Sequence, residues 1–200
     1  MADKTLDDHD GEFYKTYGRA MAAWVELERS LGSILVVVGG LTPEVAGAVY
    51  YSANSFRSRA AMLRACVPFA KTIPAGRDFL TGIINRAVAY SDTRNTLAHE
   101  RHMMNLFDTR LTEEEDPDFV FQISIGTNAQ RLSHKGIRNA ALNFFYLNQV
   151  IVVCLGQAKP VREPELALAL LDLMPRDPVA RVADLKKASL LSAEIERSPR

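Results

Sequence analysis

An arginine, an adjacent asparagine and a histidine four residues further on fall within the run Ser91-Asp92-Thr93-Arg94-Asn95-Thr96-Leu97-Ala98-His99-Glu100. The guanidinium of Arg94 offers a rigid fork of donors that matches phosphate oxygens and keeps its charge near neutral pH. The imidazole of His99 can accept or give a proton at that pH. Asn95 carries both a donor and an acceptor and could orient either group or the phosphate. Such a set suits cleavage of an RNA phosphodiester by its own 2′-hydroxyl. The imidazole would act on the 2′-hydroxyl or the leaving 5′-oxygen, and the guanidinium would stabilise charge in the transition state. The chemistry needs neither a metal nor a cofactor. An alternative stays open: Arg94 could pair with a buried acid such as Glu26 or Glu28, and His99 could face the free carbonyls of a helix C-terminus.

Other chemistries find no support. The sequence lacks the Gly-rich loop and lysine of a P-loop, the dinucleotide fingerprint and any Cys-x-x-Cys pair. His99 and His102 lie three apart with no carboxylate framework around them, so no metal site is assigned. The 24 basic and 24 acidic residues give zero formal charge. That balance argues against a sequence-independent coat on nucleic acid, which relies on many phosphate contacts, and leaves room for a local basic cleft. Arg57, Arg64 and Arg86 are candidate secondary phosphate contacts.

The segment Phe13, Tyr17, Met21, Trp24, Leu27, Leu31, Ile34, Leu35, Val38 steps by threes and fours and predicts a helix over about 12–38, ended by Gly39-Gly40. Trp24 on that stripe is expected in the core. Thr42-Pro43-Glu44 opens a second helix, expected to run to Pro68. A third begins near 75–78 and carries the motif at its end. Arg94 continues the row Ile83, Ala87, Tyr90, and Asn95 continues the row Leu80, Ile84, Val88, Ser91, so both fall on the packed side. Residues 103–107 and 119–125 predict two short strands about an acidic turn, a small β-hairpin insertion. A fourth long helix, from about 133 to 156, is apolar nearly all round and belongs in the core centre or at a subunit interface. Two shorter helices, 165–174 and 179–196, are predicted in the tail. The division is a helical domain over 1–156 with a linker and C-terminal helical tail over 157–200. Cys66 and Cys154 are expected to be buried thiols in a reducing compartment. The acidic N-terminus and the short apolar runs predict a cytoplasmic chain with no membrane partner.

The helical layout with Arg94-Asn95-Thr96-Leu97-Ala98-His99 ending the third long helix resembles the HEPN superfamily, over roughly residues 12–155. The resemblance implies an all-α bundle of four to five helices. It also implies a metal-independent endoribonuclease of the toxin or defence-effector kind, with RNA as substrate and an antitoxin or regulatory protein as partner. The chain would act as a homodimer in which two copies of the motif share a cleft. Arg94 would hold the scissile phosphate, His99 would be the acid/base and Asn95 would support them. Glu100 departs from the small residue, such as glycine, that many relatives carry after the histidine. Other members have lost catalysis, which leaves a silent nucleotide- or RNA-binding or protein-interaction module as the alternative. A helical scaffold whose tail docks on a partner is a third possibility.

Overall fold

The computed structural model describes residues 6–72, 74–99, 101–104, 121–124, 132, 134–156 and 164–180. These are mostly helical: α1 Leu6–Gly39, α2 Pro43–Ser52, α3 Phe56–Cys66, α4 Pro74–His99, α5 His134–Gly156 and α6 Pro164–Asp172. A 3₁₀ turn, Val67–Phe69, follows α3. Residues Arg101–Met104 and Phe121–Ser124 pair antiparallel, with Arg101 opposite Ser124 and Met104 opposite Phe121. The chain between them, the acidic run at 113–117 and the helix expected beyond residue 180 lie outside the described residues.

Each boundary has a local cause. Helix α1 stops where Gly40 takes φ 61° and its N–H closes on the Val36 carbonyl, a left-handed cap that glycine adopts without steric cost. Thr42 then caps α2 through its hydroxyl, with Pro43 at the first helical position. The single second helix expected over 43–67 is in fact two. Ala53 and Ser55 adopt extended backbone, and Ser55 caps a new helix by accepting from the Ser58 N–H at 3.1 Å. A serine that competes for backbone donors ends one helix and starts the next. The apolar rows of α2 and α3 hid this break, because each resumes a three- and four-residue step on its own side.

Helices α1 and α5 lie side by side and run in the same direction. Thr16 bonds His134 near their N-terminal ends (2.8 Å), and Trp24 meets Phe144 further along (ring centroids 5.3 Å). Trp24 also packs edge-on against Phe56 of α3 at 5.0 Å, while Tyr90 of α4 tilts against Phe144 at 5.8 Å. Trp24, Tyr90 and Phe144 are fully enclosed, as expected for Trp24. Helix α5 is less enclosed than its composition suggests. One side carries the core residues Ile137, Phe144, Leu147 and Ile151, and the other leaves Leu142, Phe145 and Val152 exposed. By length and composition α5 could also cross a membrane, although 39% of its apolar window is buried against the rest of the chain. Cys154 is buried, as expected, but Cys66 is only partly so.

Helix α6 and the residues after it are fastened to α4 and α5. Gly82 makes the close approach possible: a Cβ there would lie 2.5 Å from Leu171 Cδ2. Tyr90 Oη donates to the Pro175 carbonyl (2.7 Å), Arg86 donates to the Met174 carbonyl, and Asn139 Nδ2 donates to the Val179 carbonyl (3.0 Å). Asn143 Nδ2 reaches the Pro178 carbonyl at 2.5 Å. Residues 164–180 therefore belong to the same packed body as α4 and α5.

Glu28, nearly buried on α1, accepts from Trp24 Nε1 (3.2 Å) and forms an ion pair with Arg59 of α3. The Arg59 guanidinium also lies over the rings of Tyr50 and Tyr51. Removing one member leaves a charge without its partner in a site that water barely reaches, so Arg59→Ala should cost about 3 kcal/mol in urea unfolding. Burial pushes the Tyr90 phenol up to about 12, partly offset by Arg86, and raises that of Tyr50 as well. The unfolded chain releases the Tyr90 proton near 10, whereas the folded chain holds it to about 12. Stability should therefore be fully retained below pH 10 and fall as pH rises from 10 to about 12. A Tyr90→Phe variant should show a shallower fall over that window in denaturant midpoints.

Candidate functional site

Helix α4 continues through His99, so the motif is helical throughout its described length. Arg94 is half-buried and Asn95 and His99 are exposed. The guanidinium of Arg94 sits over the Trp24 ring, 5.9 Å from its centroid, and Arg94 Nη1 donates to Asn95 Oδ1 at 3.1 Å. Arg94 Nε is buried with no hydrogen-bond partner among the described residues. The ring gives the cation a polarised face, and the neighbouring carboxamide fixes its rotation.

The acid partners open to Arg94 in the sequence are engaged elsewhere. Glu28 pairs with Arg59, and Glu26 with Arg29 at 3.2 Å. Among the described residues no carboxylate forms an ion pair with Arg94. Neither Glu26 nor Glu28 takes up the alternative of a buried acid beneath Arg94; the Trp24 ring packs there instead. The row that places Arg94 beside Ile83, Ala87 and Tyr90 does bring it onto the packed side, while Asn95 is exposed despite its apolar row. The reason is that α4 has begun to emerge from the bundle at its last two turns, so only one row is still covered.

Helical geometry relates the three side chains. Five residues turn the axis through about 140° net and rise about 7.5 Å, so Arg94 and His99 leave α4 on different sides. Asn95 and His99, four apart, share an edge. The bond to Asn95 draws the guanidinium toward that same edge. His99 stands in the last turn of α4.

The three secondary arginines are dispersed. Arg64 donates through Nε and Nη2 to Asn85 Oδ1 at 3.2 and 2.8 Å, and Arg86 is held by the Met174 carbonyl. Arg57 is exposed on the first turn of α3. Two hollows were not anticipated. One, of about 660 Å³, lies between α1 and α5. The other, of about 280 Å³, lies beside Asp92, Thr93 and Thr96 of α4 and is closed by Arg176, Asp177 and Pro178. Neither is lined by Arg94 or His99. The sequence held a trace of the first: Arg138, Leu142, Phe145, Gln149 and Val152 recur at steps of four and three along α5.

No family model, curated protein or solved structure matches the chain. Functional assignment therefore rests on the residues alone.

The packing separates the roles of the two charged motif residues. Arg94→Ala should lower stability by about 1 kcal/mol, the worth of a cation on an aromatic face. His99→Ala, at an exposed position, should stay within about 0.5 kcal/mol of wild type. Thermal and urea unfolding of the two variants check this; a larger loss for His99→Ala would give the imidazole a structural role.

Proposed function

We propose that this chain is a HEPN-like, metal-independent endoribonuclease that cleaves RNA by attack of the 2′-hydroxyl on the adjacent phosphate. Arg94 binds and stabilises the phosphate, His99 transfers the proton, and Asn95 orients the guanidinium. The observation that carries this reading is an arginine free of carboxylate partners among the described residues and hydrogen-bonded to Asn95, which stands one turn before the exposed His99. A guanidinium neutralised by an acid would have little attraction left for a phosphate; this one rests on a ring and keeps its charge available. In this reading Arg57 and Arg64 supply outlying contacts to the RNA backbone, and the strand pair 101–104 and 121–124 belongs to an insertion after the motif. The protein works in the cytoplasm as a homodimer that brings two motifs to one cleft, which suits a toxin or defence effector restrained by a partner protein. Arg94 and His99 leave the helix on different sides, so a second copy supplies what one chain spreads around its axis.

With structured RNA and EDTA, the purified protein should give fragments ending in 2′,3′-cyclic phosphate. His99→Ala should slow that cleavage by about 100-fold or more, as loss of a general acid–base group does, with an unchanged melting temperature. Cleavage that survives the substitution removes His99 from the chemistry. RNA that raises the melting temperature without being cut would favour the silent binding module.

A further inference from the structure

The hollow between α1 and α5 is an open groove with an apolar floor and a charge at each end. Ala22 and Ala23 of α1 and Ala141 of α5 are small enough to leave it concave, and Leu142 and Phe145 rise along its α5 side. Leu142 is 41% exposed, Phe145 47% and Val152 50%. These three large apolar side chains lie along one side of α5 and form a patch that water solvates poorly. Because α1 and α5 run in the same direction, Arg19 and Arg138 stand together at one end of the groove, and Glu26 stands beside Asn148 and Gln149 toward the other. Neither Arg19 nor Arg138 has an ion pair among the described residues, and Glu26 has only its exposed neighbour Arg29. Asn148 is 9% exposed, and its Oδ1 is buried without a hydrogen-bond partner among the described residues.

A two-fold axis through the middle of this face maps the basic end of one copy onto the acidic end of another. We propose that the groove is the interface of an isologous dimer in which α5 of one chain lies antiparallel to α5 of a second copy. Leu142 and Phe145 of each chain fill the alanine-lined groove of the other, as knobs at three- and four-residue spacing fill the holes of a facing helix. Arg19 and Arg138 of each reach Glu26 of the other, and the same guanidiniums offer donors near the Asn148 carboxamide. The four helices then form a bundle closed on both sides, so the apolar side of α5 that the monomer leaves uncovered becomes interior. The interface is argued from the α1 and α5 face alone and does not rest on the nuclease chemistry. It would stand if the motif proved silent.

Sedimentation of the full chain should give a species of about twice 22.2 kDa at tens of micromolar. Leu142→Glu should yield a folded monomer, since Leu142 is outside the core, with a melting temperature that no longer depends on protein concentration; if that variant fails to fold, Phe145→Arg serves the same purpose. Glu26→Arg and Arg138→Glu should each weaken the dimer at least tenfold, and the double variant should recover most of the loss, because the swap restores opposite charges across the axis. A wild-type monomer would overturn the proposal, and so would a dimer that neither Leu142→Glu nor the charge swap affects. A monomer that instead floats with anionic-lipid vesicles would assign the face to a bilayer. RNA cleavage plays no part in these readouts, so failure of the interface and failure of the nuclease reading are separately visible.

Discussion

The burial of Trp24 is the constraint on which most of the structure turns. Its ring meets Phe56 of α3 and Phe144 of α5, its N–H is satisfied by Glu28 one turn along α1, and its remaining face receives the Arg94 guanidinium. One side chain thus touches four helices. An indole can do this because it combines a large apolar area, two polarised faces and a single donor that must be paired once buried. Glu28 in turn needs a counter-charge, and Arg59 supplies it from α3. The helix that caps itself at Ser55 is therefore tied to α1 both by an aromatic edge and by a charge.

This arrangement explains why the motif is presented as it is. An arginine on the packed side of a helix requires a partner, and the common solution is a carboxylate. Here Glu26 and Glu28 are engaged with other arginines, and the ring of Trp24 packs against the guanidinium instead. Among the described residues the guanidinium is held in position with no carboxylate beside it, and its buried Nε has no acceptor.

A second theme is the use of polar side chains to bind carbonyls after a helix has ended. Asn139, Asn143, Arg86 and Tyr90 all donate to the chain between Met174 and Val179. That segment contains Pro175 and Pro178, cannot satisfy itself by helical bonding, and so relies on side chains from α4 and α5.

The helices, their order and most of their ends were legible in the sequence, because three- and four-residue apolar steps, Gly40 and the Thr42-Pro43 start act through local backbone geometry. So was the place of Trp24 in the core and of Arg94 on the packed side of α4. The break at Ser55 was not, since an interrupted helix and a continuous one can carry the same rows. What Arg94 packs against, the parallel course of α1 and α5, and the groove between them were decided only by tertiary structure. Each depends on which residues distant in the chain share a height in the bundle, and periodicity along one helix fixes a face without naming its neighbour.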